Sequence, residues 1–188
     1  TQRIHFSGTG SIDKCYLAKE TELVFDYDND GCVAVNQLKG LINYGPLESY
    51  VNRSVRLAVL SPRECAKDIW EHLNELNKHH ATTLKQDKVF LPEYIGFHDV
   101  FKCGLDIPNG DDTKRFMGYS LSEAIKTSAQ EFFNGICQYI DVMEREKHEF
   151  DVLVIYIPNQ LSKMRELKNE NVYFDLHDSL KIYCAGKG

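Results

Sequence analysis

His177 and Lys181 stand four residues apart, so on a helix their side chains lie one turn above one another and can reach one ligand. An ammonium and an imidazole near a helix N-terminus offer positive charge and directed donors to the oxygens of a phosphate. The imidazole face can instead stack under a base. Asp175 is of the residue type that caps helix N-termini, and it predicts a last helix over residues 176–185. By itself an H-x-x-x-K pair is weak, because the solvated face of a surface helix has the same spacing.

Other polar groups are less well arranged. His72, His79 and His80 lie on or just after a helix that should begin at Glu64, and without an H-E-x-x-H pattern they do not make a metal site. His98, Asp99 and Cys103 show no spacing from which nucleophile, base and orienting group can be read. Asp26, Asp28, Asp30 and Gly31 begin like a calcium loop but lack its closing glutamate, so a turn is expected. Gly8-Thr9-Gly10 lacks the later glycines and lysine of a nucleotide-phosphate fingerprint.

The elements that must position the pair can be read in chain order. Residues 1–46 mix short β-prone runs (15–17, 22–25 and 32–35) with acidic turn residues and form a β-rich lead-in. After the Gly45-Pro46 turn, residues 55–60 (VRLAVL) have the length and composition of a strand. Ser61-Pro62-Arg63-Glu64 is a capping-box pattern with proline at the first helical position, predicting a helix over residues 64–78. Ala66, Ile69, Leu73 and Leu76 would share its apolar face. A strand is expected near residues 88–91 and a surface loop within 104–118. Ser120 and Glu123 form a second capping box, and Leu121, Ile125, Phe132, Ile136, Tyr139 and Met143 carry helical spacing to about residue 146. Residues 151–157 (DVLVIYI) then read as a parallel strand covered on both faces, ended by Pro158 and followed by a polar loop.

Alternating strands and helices predict an α/β fold: a Rossmann-like parallel sheet flanked by helices, with ligands beyond the carboxyl ends of the strands. The loop from Pro158 and the start of the last helix both belong to that edge. The lead-in, residues 1–46, and an α/β domain, residues 47–188, are the expected units.

With 43% apolar and 27% charged side chains the chain can bury a substantial core. Its longest apolar run, residues 152–158, is too short to cross a bilayer. Six cysteines at wide, irregular spacing, with no C-x-x-C pair, fit reduced thiols in a cytoplasmic protein. A net charge of −6 argues against a long groove along a nucleic-acid backbone. It does not exclude a pocket that grips one terminal phosphate with a few convergent donors.

Residues 152–181 resemble the MID domain of Argonaute proteins: a buried strand, a proline, a loop, then a helix with an aromatic-type residue and a lysine four apart. Phe174-Asp175-Leu176-His177-Asp178-Ser179-Leu180-Lys181 is similar to the F-x-L-H-D-x-[IL]-K stretch of prokaryotic Argonautes. Gly40-Leu41-Ile42-Asn43-Tyr44-Gly45-Pro46 looks like the family's G-L-x-x-[YF]-G-P lead into the MID domain, and Ile95-Gly96-Phe97 is a degraded P-G-F turn. The resemblance implies that Lys181 binds the 5′ phosphate of a short guide RNA or DNA and that His177 contacts that phosphate or stacks on the first base. It also implies that the loop carrying Pro158, Asn159, Gln160 and Lys163 sits against that base. The partners it implies are the guide, its complementary target, and a PIWI segment or effector protein.

The family's pocket also uses a glutamine after this helix and a second lysine further on, which do not occur before Gly188, and the PIWI carboxylates are absent. The expectation is therefore a MID domain incomplete at its C-terminus, with no catalytic centre and no cofactor of its own; a divalent cation such as Mg²⁺ would belong to the completed pocket. Two other classes remain open. One is a small α/β enzyme acting on a nucleotide or sugar phosphate with Lys181 as phosphate ligand, and the other a docking domain whose acidic surface meets a basic partner.

Overall fold

The computed structural model describes residues 21–26, 28–47, 53–82, 92–169 and 172–187. The strand read from residues 55–60 is the axis of the fold: β3, Ser54–Pro62, pairs in parallel with three other strands. These are β4, Gly104–Asp106; β5, Phe116–Tyr119; and β6, Val152–Ile155. Backbone groups of alternate residues point to opposite edges of a strand. The carbonyls of Arg56 and Leu60 accept from Asp151 and Tyr156 on the β6 side, while the N–H of Val59 donates to Arg115 on the β5 side. Thus β6 lies along one edge of β3, and β4 and β5 follow one another along the other.

Both faces of β3 are covered at residues 57–60, and that stretch is continuously apolar. Leu57 and Val59 pack with Ile69 and Leu73 of α2, Ala66–Asn74. Ala58 and Leu60, both fully buried, face Phe132, Ile136, Ile140 and Met143 of α5, Ala129–Glu144, and Leu176 and Leu180 of α6, Leu176–Ala185. The α/β class and the parallel pairing of the two apolar runs are therefore as expected.

The lead-in forms an antiparallel pair, β1 (Leu23–Val24) with β2 (Val33–Ala34). Its acidic connection is a turn in which Asp26 and Asn29 accept from the N–H groups of Asp28 and Gly31. Helix α1, Gln37–Tyr44, packs on this hairpin and on α3, Phe97–Phe101. At Gly40 a β-carbon would come within 2.0 Å of the Phe25 ring, so only glycine allows that approach. The strand expected near residues 88–91 and the β-prone run 15–17 lie outside the described residues.

Five local expectations are corrected. Ser61 does not cap a helix: β3 continues through Pro62, the Ser61 hydroxyl donates to the Pro62 carbonyl at 2.9 Å, and a 3-10 turn, Arg63–Cys65, precedes α2. Glu64 instead reaches across the molecule, where its carboxylate accepts from the N–H of Leu121 at 3.2 Å. Leu76, expected on the buried face, is exposed, because a second 3-10 turn, Glu75–Asn77, rotates it away.

The helix expected over residues 121–146 is two helices, α4 (Leu121–Ala124) and α5. Ser120 caps α4, and the full reciprocal capping box belongs to Ser128 and Glu131 eight residues later. Strand β6 is not covered on both faces throughout: among the described residues it pairs only with β3, and Val152 is 45% exposed. The polar run after Pro158 is not a plain loop either. It holds a 3-10 segment, Asn159–Met164, and an antiparallel hairpin, β7 (Glu166–Asn169) with β8 (Val172–Asp175). No helix among the described residues is long and apolar enough to cross a membrane.

Candidate anion-binding site at the N-terminus of the last helix

Helix α6 begins where the residue types require. Asp175, in extended conformation, accepts from the N–H of Asp178 at 2.8 Å, and the Ser179 hydroxyl donates to the Asp175 carbonyl at 2.6 Å. The hairpin delivers the chain to that cap, with Glu166 opposite Asp175 and the N–H of Leu176 donating to the carbonyl of Arg165 at 2.9 Å.

The orientation of α6 is fixed by its inner face. Leu176 and Leu180, one turn apart, are buried in the core, and Phe133 of α5 meets both Phe174 and Tyr183 edge-to-face at 5.8 and 6.3 Å. The Tyr183 hydroxyl donates to Asp141 at 2.6 Å, and Lys187 bridges Asp141 at 2.6 Å and Glu144 at 3.2 Å. Lys187, and after it Tyr183, hold the Asp141 carboxyl below its usual range. With Leu176 and Leu180 turned inward, the residues that follow each of them, His177 and Lys181, fall on a neighbouring stripe.

That stripe borders a cavity of about 690 Å³. It is lined along β6 and just past its carboxyl end by Leu153, Ile155, Tyr156 and Ile157, along α6 by residues from His177 and Lys181 to Cys184, and beside them by Arg165, Glu166 and Asp175. The two residues singled out by spacing are thus brought together on one cavity that runs along β6 and past its carboxyl end. The Nδ1 of His177 lies 3.1 Å from the Asp178 carboxylate, leaving Nε2 available. Asp175 turns its carboxylate onto the first turn of α6.

The four loop residues are placed differently. Pro158 is buried, Gln160 is exposed, and Asn159 uses its side-chain oxygen to accept from Arg165. None of them lines the cavity, although the loop starts at its rim. Lys163 points away: its ammonium donates to the Ile125 carbonyl at 2.6 Å, at the C-terminal end of α4, where a cation meets unsatisfied carbonyls.

Arg165 was not marked out by the sequence, because it opens a charged run with no local signature. Only the hairpin, which folds that run back on α6, brings it to the cavity. Its Nη2 donates to the Ile157 carbonyl at 3.2 Å and to Asn159 Oδ1 at 3.4 Å. Both acceptors are neutral. Among the described residues neither Arg165 nor Lys181 has a carboxylate partner, whereas Arg56, Lys114, Arg115 and Lys187 all do. Two uncompensated cations on one cavity suit an anionic ligand.

A metal is less well served. Asp175, His177 and Asp178 bring one ligand atom each within 4.8 Å of one another, as do Glu146, His148 and Glu149. Asp175 is committed to the helix cap and all three groups of the first cluster face solvent or partial solvent. A Mg²⁺ ion prefers octahedral oxygen ligands, and the described wall offers no free set of carboxylates for it. Neither a family model nor a curated protein matches the chain.

Proposed function

We propose that this chain binds the 5′-phosphorylated end of a short guide nucleic acid, as the MID portion of an Argonaute-like protein in guide-directed target recognition in the cytoplasm. The observation that carries the reading is the pairing of His177 with a Lys181 that has no carboxylate partner among the described residues, on a cavity that reaches past the carboxyl end of β6, the side on which open α/β sheets take their ligands. The motif stretch ending at Lys181 supports the same assignment. The phosphate sits toward Lys181, with the His177 ring donating to it or stacked on the first base. Cleavage, where the parent protein performs it, belongs to a PIWI segment rather than to this chain.

The test compares binding of a 5′-phosphorylated oligonucleotide with its 5′-hydroxyl counterpart, as RNA and as DNA, at fixed ionic strength. Preference for the phosphorylated form is expected. Equal affinity for the two refutes the reading.

A second reading has one observation in its favour: about 690 Å³ is the size of a small-ligand pocket. A small enzyme acting on a nucleotide or sugar phosphate would use Lys181 in the same way. Under that reading a free mononucleotide competes fully with the oligonucleotide; under the first it competes feebly.

A further inference from the structure

We propose that Arg165 is a second cationic ligand for the terminal phosphate, so that the site grips a phosphate monoester dianion between a guanidinium and the Lys181 ammonium. The inference rests on the guide-end reading above and deepens it. A guanidinium has five N–H donors, of which the two on Nη2 are used by Ile157 and Asn159. The remaining three, on Nε and Nη1, have no acceptor among the described residues. Their carrier lines the same cavity as Lys181.

The existing contacts pre-orient the group. The two Nη2 contacts fix the plane of the group, so the Nε–H and Nη1 N–H groups, which lie on different edges, are presented as single charge-assisted donors. The backbone adds to this, because the carbonyl of Arg165 accepts from Leu176, the first residue of α6. The position of the guanidinium is therefore tied to the helix that carries His177 and Lys181. Asp175 is turned onto the helix cap, and although Glu166 also lines the cavity, Arg165 and Lys181 form no ion pair with a carboxylate among the described residues.

The experiment measures the ratio of dissociation constants for 5′-hydroxyl and 5′-phosphorylated forms of one 3′-labelled oligonucleotide, for the wild-type chain, Lys181→Ala, Arg165→Ala, Arg165→Lys and the double alanine variant. Each single alanine change is expected to lower the ratio about five- to thirtyfold and the double change to bring it close to one. Arg165→Lys keeps the charge but not the anchored planar donors, and should recover only part of the loss. Thermal melts confirm that each variant is folded.

If Arg165→Ala keeps the phosphate preference and changes the ranking of first bases, Arg165 reads the base and the proposal is overturned. If both guide forms weaken equally, with a lowered melting temperature, Arg165 only anchors the loop and the proposal is again overturned. In either case a Lys181→Ala variant that has lost its phosphate preference leaves the guide-end reading standing. A wild-type chain without any preference removes both.

Discussion

Lys181 and Asp175 sit six residues apart at the start of the same helix and answer to different physics. Lys181 makes no internal contact that the fold requires, so Lys181→Ala should leave the melting temperature nearly unchanged while weakening binding of a phosphorylated guide about tenfold or more. An isothermal titration and a melt on the same preparation separate the two effects. Asp175 is structural: its carboxylate satisfies the Asp178 N–H. Asp175→Ala should cost about 1 kcal/mol of stability, and Asp175→Asn, which keeps an accepting oxygen, much less. A large loss in the asparagine variant would mean that the negative charge, rather than the cap, is what matters.

His177 illustrates the limit of spacing as an argument. The i, i+4 relation correctly placed it beside Lys181, but it could not say that Asp178 would stand 3.1 Å from its Nδ1. Arg165 and Lys163 make the complementary point. Both lie in one polar stretch, two residues apart, and the sequence favoured Lys163. Lys163 lies within the 3-10 segment and points to the end of α4, whereas Arg165, directly after it, lines the cavity.

Among the elements, α5 contributes most side chains to the main core, and its start is specified twice over. Ser128 accepts from the N–H of Glu131 while the Glu131 carboxylate accepts from the N–H of Ser128 at 2.8 Å, a contact that holds the Glu131 carboxyl below its usual range. Ser128→Ala removes one half of this exchange and should destabilise the chain by about 1 kcal/mol. Chemical denaturation checks it, and a shift in midpoint without a change of slope is the expected form. The equivalent change at Ser61 is different in kind. Ser61 is buried and its hydroxyl bonds the next carbonyl, so Ser61→Ala is expected to cost no helix cap at all.

The edge strand β6 is tied to β3 by more than its ladder. Asp151, just before it, accepts from the backbone and the side chain of Arg56 at 2.9 and 3.2 Å, and the Arg56 guanidinium also donates to the carbonyl of His148. This clamp holds the amino end of β6, while the Tyr119 hydroxyl donates to the Tyr156 carbonyl at 3.2 Å at the other end. Strand β6 therefore offers the cavity a fixed floor.

For the molecule as a whole, two properties follow. The first is the sensitivity of the core: Leu60 is fully buried in the layer between the sheet and helices α5 and α6, and Leu60→Ala should cost about 2 to 5 kcal/mol. A cost below about 1 kcal/mol would show that this layer is loosely packed. The second is acid stability. Arg56 holds Asp151 below the usual carboxylate range, Lys114 does so for Glu149, and Arg115 together with neighbouring backbone donors outweighs burial at Asp112. Each group binds its proton less readily in the folded than in the unfolded chain. Their stabilisation is thus present above the ordinary carboxylate pKa of about 4 and lost as pH falls through the lower, folded values. A melting temperature that declines below about pH 4, with a shallower decline in Asp151→Asn, is the expected result of a pH series.

The sequence by itself determined the two main apolar strands and the helices with a marked start. Residues 55–60 and 152–157 could be read as strands because short, β-branched apolar runs have few other places to go, although only the first proved covered on both faces, and α6 because a cap, an apolar stripe and a polar stripe coincide within ten residues. Those are local signals set by backbone hydrogen bonding and side-chain period. What only the tertiary structure decided is where weakly patterned polar segments go. The stretch of residues 165–175 has no strong period, yet it supplies β7 and β8, which pair with each other. Glu64 caps α4 rather than its own helix because β3 extends through Pro62 and presents it to Leu121. Arg165 reached the cavity for the same reason: a charged side chain has no preferred partner in sequence, and its position is fixed by the packing of elements that are far apart along the chain.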